Sequence, residues 1–395
     1  MNTVIYFGFP AEGHLNPSIE LFNQLSKKGV KIYYYTTQDQ FYKFEHIKNI
    51  EMKEYPDIFS EYGKRADALS KNISLALYML YDMTNQLVEF AVNEIKRIEP
   101  SLVINDVFAL WGKMAARFTN TPMAIFSCMF LTCKNAKLES SPKEGLAILA
   151  KLPTLIAALQ LRKKAENKIN VSCDRIGDLF SDQNEYTIVM STKRFHPNGA
   201  LFGKNVLFLG NGVATIGCTT KKRDRIFVSL GTLCENKTFW NRCILASKDL
   251  GYKVVLVAYG KNEMYIKPSL ISENVEIYKK MALKEYEKNL ANAVLFINHG
   301  GLNGIGKAII YQTPVLVCPD TSERAANGKM AEVNHCGLCM KDQNVSVKAL
   351  SKAIKKILND VAVINGLKVL SEDFKNSPGY EKVAVDVVRT FKLDI

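Results

Sequence analysis

Short runs of consecutive apolar residues alternate along the chain with stretches whose apolar positions recur every three or four residues. Val4 to Phe7, Val30 to Thr36, Ser101 to Ile104, Tyr186 to Met190 and Val206 to Leu209 predict strands in the first half. Ile226 to Ser229, Lys253 to Ala258, Val275 to Tyr278, Val294 to Ile297 and Val315 to Cys318 do so in the second. Between them, Ile19 to Lys28, Leu283 to Asn289, Leu302 to Tyr311, Ala326 to His335 and Pro378 to Phe391 carry helical periodicity. Gly8 to Asn16 reads as a loop, with Pro17 in a first helical position and Gly29 closing the helix. Strands that alternate with helices in both halves predict parallel sheets covered on both faces, a doubly wound α/β class. The segment 211–225 is Gly/Thr-rich, then basic, with little periodicity. It reads as a linker between a first domain, 1–210, and a second, 226–377, with 378–395 a final helix.

Length supports that division, since 395 residues exceed what one core usually sustains and suggest two domains of about 200 residues. The net charge of +13 suits nucleic acid, an anionic membrane surface or an anionic small molecule. No long basic run or aromatic-basic interleaving favours nucleic acid, and a solvated lysine-rich surface explains the charge as well. Val4 to Phe7 is too short for a signal-peptide core and breaks at Gly8 and Pro10. No run approaches the ~20 apolar residues of a membrane span. The nine cysteines, odd in number and scattered, suit reduced thiols in the cytoplasm. His335-Cys336 and Cys339 could form half a zinc site, but without a second pair at ligand spacing they read as packed cysteines.

Candidate chemistry lies at strand ends. Asn298-His299-Gly300-Gly301 joins a strand to a helix, where unpaired N–H groups and the helix dipole favour an anion and glycines admit a phosphate. A buried βαβ turn with a core histidine is the alternative. The first loop, GFPAEG, lacks the spacing of a dinucleotide fingerprint, but it carries His14, a residue suited to proton abstraction near neutral pH. Such a base needs its other ring nitrogen held, and Asp106, after the strand Ser101 to Ile104, is the candidate. Taken singly, a helix-capping loop and an N-cap for a helix starting near Val107 explain these two residues better; taken together with the loop at His299, the pair is favoured.

HGGLN, with Pro314 at the next strand and Glu323 followed four residues on by Asn327, resembles the donor motif of family 1 glycosyltransferases, most closely the bacterial macrolide-glycosyltransferase type. Gly13-His14-Leu-Asn-Pro17 resembles the loop carrying that family's catalytic base, and the segment Pro100 to Trp111 the one supplying its aspartate. The resemblance spans nearly the whole chain. It implies a GT-B fold, two Rossmann-like domains facing each other across a cleft, with the final helix packing back on the first. It also implies that His299, Gly300 and Gly301 hold a donor diphosphate, that Asn303 orders the loop, that Glu323 grips sugar hydroxyls, and that Ser229, Gly231 and Thr232 approach the phosphates. The acceptor pocket is expected in first-domain segments such as Tyr78 to Met83 and Glu144 to Lys164. Ordinary core helices, or membrane contact through Arg162 to Lys164, are the alternatives there.

Several positions depart from that pattern. Met281 stands where an aromatic residue stacks on the base, and Lys284 three residues further on. Gly304 replaces a serine, and Arg324 follows Glu323 in place of a glutamine. Lys307 occupies the position of a carboxylate that accepts the ribose hydroxyls, a role an ammonium cannot fill because it has no lone pair. Three accounts follow: a UDP-sugar in a rebuilt pocket; an unusual donor, either a dTDP-deoxysugar or an acidic sugar meeting Lys307 and Arg324; or a binding protein without catalysis. The preserved His14, Asp106, His299 and Glu323 favour an enzyme. The expected reaction is an inverting, metal-independent transfer to a hydroxyl of a hydrophobic small molecule, with the nucleotide sugar as co-substrate and no other cofactor.

Overall fold

A computed structural model describes residues 2–63, 72–132, 151–181, 185–210, 223–232 and 234–393. Most of the expected linker and residues 144–150 of the expected acceptor segment lie outside the described residues. The chain forms two compact units. One comprises Met1–Met190, Asn198–Leu209 and Pro378–Ile395, and the other Ser191–Pro197 and Gly210–Ser377. Ser191–Pro197, which the sequence reading leaves in the first domain, thus groups with the second unit.

The first unit is built on seven strands, β1 (Thr3–Phe7), β2 (Lys31–Thr36), β3 (Ile50–Glu54), β4 (Leu102–Asp106), β5 (Met123–Ser127), β6 (Tyr186–Val189) and β7 (Val206–Phe208). All pair in parallel, in the order β3-β2-β1-β4-β5-β6-β7. Strand β3 was not legible as an apolar run. It lies at the sheet edge and alternates apolar with charged residues, so no face is fully buried. In the inner strands, alternate side chains point to opposite faces and both faces are covered. Val4, Tyr6, Leu102 and Ile104 pack with Leu21 and Phe22 of the helix Glu12–Lys27 and with Val383 and Val387 of the helix Gly379–Thr390. Ile5, Phe7 and Val103 pack on the other side with Leu87 and Ala91 of the helix Ile73–Ile98 and with Trp111 and Met114 of the helix Leu110–Thr119. Each such aliphatic or aromatic side chain contributes about 1.5–3 kcal/mol of burial free energy.

The second unit has six strands, β8 (Arg225–Ser229), β9 (Lys253–Val257), β10 (Val275–Tyr278), β11 (Ala293–Asn298), β12 (Val315–Val317) and β13 (Gly337–Cys339), again parallel, in the order β10-β9-β8-β11-β12-β13. Arg225, the last residue of the expected linker, already belongs to β8. Cys336 is buried and its thiol points to the Ala331 carbonyl at 3.4 Å, which is a packed thiol. Among the described residues no cysteine forms a disulfide. Among the described residues, no helix is long and apolar enough to cross a membrane.

In both sheets the strand order reverses beside the first strand: between β1 and β4 in one, and between β8 and β11 in the other. Connections leave such a pair in opposite directions, which opens a crevice at the carboxyl ends of the strands, where α/β sheets hold ligands.

Candidate active site

In the first unit, β1 ends at Phe7, which pairs with Asn105 of β4. The helix that follows begins at Glu12, not at Pro17, so His14 lies in its first turn rather than in a loop. Pro17 sits inside the helix, where it lacks the N–H that would bond Gly13. A helix tolerates that single loss, so proline here is a poor marker of the helix start. His14 Nδ1 lies 3.1 and 3.0 Å from the two carboxylate oxygens of Asp106. Asp106 is fully buried at the end of β4 and also accepts the Phe108 N–H at 2.9 Å. It is not the cap of a helix near Val107, because the next helix starts at Leu110 behind Ala109.

An ionised carboxylate only accepts, so His14 Nδ1 carries the proton and Nε2 is left to receive one. The rings of Phe108 and Phe9 lie 4.6 and 5.2 Å from the imidazole, centroid to centroid. Burial pushes the His14 pKa down, but the charge of Asp106 and the neighbouring Cys128 raise it and prevail, holding it well above 6.5. Cys128, just after β5, carries no motif and was not anticipated from the sequence.

In the second unit, Asn298 of β11 pairs with Ser229 of β8, so the loops Ser229–Thr232 and Asn298–Gly301 leave adjacent strand ends. Ser229 is buried and its hydroxyl accepts the Gly231 N–H at 3.4 Å, whereas Thr232 is exposed. The two loops touch through glycine. A Cβ on Gly231, which has φ +73°, would stand 2.8 Å from His299 Cε1. Gly300, at φ +95°, is tighter still, with a Cβ meeting the Arg324 carbonyl oxygen at 2.5 Å.

Asn298 Oδ1 accepts the Gly300 N–H at 2.7 Å, and Asn327 donates to the Gly300 carbonyl at 2.9 Å and to Glu323 at 3.1 Å. Glu323 itself is exposed in the first turn of the helix Ser322–Val333. His299 Nδ1, Asn298 Nδ2 and Asn327 Oδ1 are buried without hydrogen-bond partners. Gly301 caps the helix Leu302–Ile310 with no side-chain bond, so its first-turn N–H groups face outward beside Asn303. The Asn298 Nδ2 donor and the His299 ring nitrogen beside a helix N-terminus fit a phosphate oxygen, whereas Asn327 Oδ1 can only accept. Burial, helped by Arg324, pushes the His299 pKa down to about 3, so the ring is neutral at physiological pH and serves as a dipole, not a cation.

The departing residues are engaged elsewhere. Lys307 forms an ion pair with Glu287, a nearly inaccessible residue that also accepts the Tyr311 hydroxyl at 3.1 Å. Arg324 grips both oxygens of Asp320 at 2.6 and 2.7 Å. Neither cation is unpaired, which removes the charge argument for an acidic sugar. Met281 is buried with its sulfur 3.6 Å from the Asn289 amide, while Lys284 is exposed. Gly304 is open to substitution, since a Cβ would find the Phe296 ring at an ordinary 3.6 Å. Gly304→Ala is therefore expected to raise stability by about 0.5–1 kcal/mol through helix propensity, read from a urea unfolding midpoint. An unchanged or lowered midpoint would show that the position is constrained by something other than helix geometry.

Of the segments expected to take the acceptor, Met79 to Tyr81 and Met83 are buried in the first unit's core. The helix Leu152–Ile169 differs, because Leu152, Ile156 and Leu159 recur on one face and are exposed.

Two doubly wound parallel units are the architecture of the GT-B fold. The match to known proteins agrees. Residues 222–379 match the family described as UDP-glucoronosyl and UDP-glucosyl transferase. The chain is 26% identical over 402 residues to the uncharacterized UDP-glucosyltransferase YojK of Bacillus subtilis (strain 168), covering 99% of this chain and 98% of that one. The fold is similar to the glycotransferase of kitacinnamycin, with TM-score 0.78, 18% identity and 98% of each chain covered. It is also similar to the calicheamicin glycosyltransferase CalG4, with TM-score 0.75, 20% identity and 100% and 99% coverage. These matches support a glycosyltransferase of the GT-B fold that uses a nucleotide-sugar donor, similar over residues 222–379 to the UDP-glycosyltransferase family.

Proposed function

We propose that the enzyme transfers a sugar from a UDP-sugar, with inversion at the anomeric carbon, to a hydroxyl group of a hydrophobic small molecule. The observation that carries this reading is the His14–Asp106 pair. The carboxylate fixes the ring with Nε2 open, and the flanking Phe9 and Phe108 offer an apolar surface to the acceptor. The acceptor oxygen attacks the anomeric carbon from the face opposite the diphosphate. Its proton passes to Nε2, the new C–O bond forms, and the bonding pair to the diphosphate leaves on the phosphate oxygen. In the second unit, the N-terminus of the helix Leu302–Ile310 and the neutral His299 ring are suited to the charge of a leaving diphosphate. Glu323, exposed and steadied by Asn327, is assigned to sugar hydroxyls.

A hydrophobic acceptor is supported by the exposed apolar face of Leu152, Ile156 and Leu159, and by the natural products named for the two structural neighbours. The donor is tested by thermal shift with UDP, dTDP, GDP and UDP-glucuronic acid. UDP is expected to stabilise most, by about 2.7 kcal/mol at a hundredfold excess over its Kd. Preferential stabilisation by dTDP would replace the nucleotide assignment. No response to any of them, together with no detectable transfer or donor hydrolysis, would overturn the whole reading. Proton NMR of the product's anomeric coupling decides inversion.

A further inference from the structure

Among the described residues, one group of metal-ligating side chains converges. His14, Asp106 and Cys128 each offer a donor atom, and the three atoms lie within 4.8 Å of one another. A ring nitrogen, a carboxylate oxygen and a sulfur form a donor set for zinc, whereas magnesium and calcium take oxygen. Tetrahedral zinc bonds of about 2.0–2.3 Å set neighbouring donors roughly 3.3–3.8 Å apart, so no donor pair has to close by more than about 1.5 Å. With Asp106 ionised and Cys128 as thiolate, two negative charges meet a divalent cation and the partly buried site ends neutral, so no charge is left unpaired. The Phe108 N–H already fixes the carboxylate, as an outer-shell partner does in a metal site.

We propose that this trio is an inhibitory site for a thiophilic divalent cation of the zinc class, which on binding occupies the base and stops transfer. Binding forms one bond to each of the three side chains. The Cys128 thiol proton, and any proton on the coordinating ring nitrogen, passes to solvent, and no oxidant is involved. The inhibition rests on the proposed role of His14, whereas the binding does not.

The test is titration of the metal-free full chain with Co2+ as a spectroscopic stand-in. One equivalent is expected to produce the thiolate-to-cobalt charge-transfer band, which Zn2+ displaces and which is lost in Cys128→Ser. In the unmutated chain, Zn2+ is expected to slow iodoacetamide labelling of Cys128, read by peptide mass spectrometry, roughly tenfold or more, with Cys339 as the internal control. Absence of the band, or a band that survives in Cys128→Ser while labelling of Cys128 is unprotected, overturns the site. Zinc should also inhibit transfer roughly tenfold more strongly in the unmutated chain than in Cys128→Ser, each relative to its own metal-free rate. Binding without inhibition overturns the inhibitory role. If His14→Ala also keeps full turnover, the failure lies in the base assignment and the metal site stands.

Discussion

Alanine at position 14 is expected to lower kcat/KM by roughly 10²–10⁴-fold while leaving UDP binding intact, because the proposed base is lost and the proposed anion loop belongs to another unit of the chain. The sharper test is pH. A base works in its unprotonated form, and Asp106 with Cys128 holds the His14 pKa above 6.5 against the opposing pull of burial. Activity should therefore be lost on the acid side and rise with pH through that elevated value. Asp106→Asn removes a raising charge, so the acid limb should move to lower pH while the plateau falls, since an amide can also hold the unproductive tautomer. A limb that does not move in Asp106→Asn would mean that some other group titrates.

The second large effect is expected at a position without a catalytic assignment. Lys307→Met leaves Glu287 buried without its cation, and breaking such a pair from one side costs about 3–5 kcal/mol. Urea unfolding should show the loss, and the double variant Lys307→Met/Glu287→Leu should recover much of it, because a buried pair can be exchanged for apolar packing. Unchanged stability in Lys307→Met, together with weakened UDP binding, would show instead that the lysine serves the donor directly.

That pair also marks a boundary of what the sequence discloses. The strand ends that carry Asp106, Ser229 and Asn298 were legible because a doubly covered parallel strand is a continuous apolar run, and its carboxyl end can be located along the chain. The edge strand Ile50–Glu54 has no such run and was missed, and the short strands Met123–Ser127 and Gly337–Cys339 were missed as well, although the first of these two is an apolar run. The start of the first helix was misplaced because Pro17 was taken as a first-turn signal, although one lost hydrogen bond inside a helix is affordable next to Leu15, Leu21 and Phe22 buried along it. Glu287 and Cys128 act through partners on other elements, and no local periodicity encodes which side chains meet across a fold. Lys307 reads as surplus positive charge because its counterion Glu287 lies twenty residues away on another helix, whereas Arg324 pairs with Asp320 only four residues upstream, a partner its own segment contained.

The helix Gly379–Thr390 completes the core of the unit that contains β1, with Val383 and Val387 fully buried against it. During synthesis, when domains usually fold in order from the amino end, the first half of this chain must wait with Leu21, Phe22 and Leu25 uncovered until residues 378–395 have been made. A fragment ending near residue 210 is thus a sticky intermediate, and expressed by itself it should aggregate.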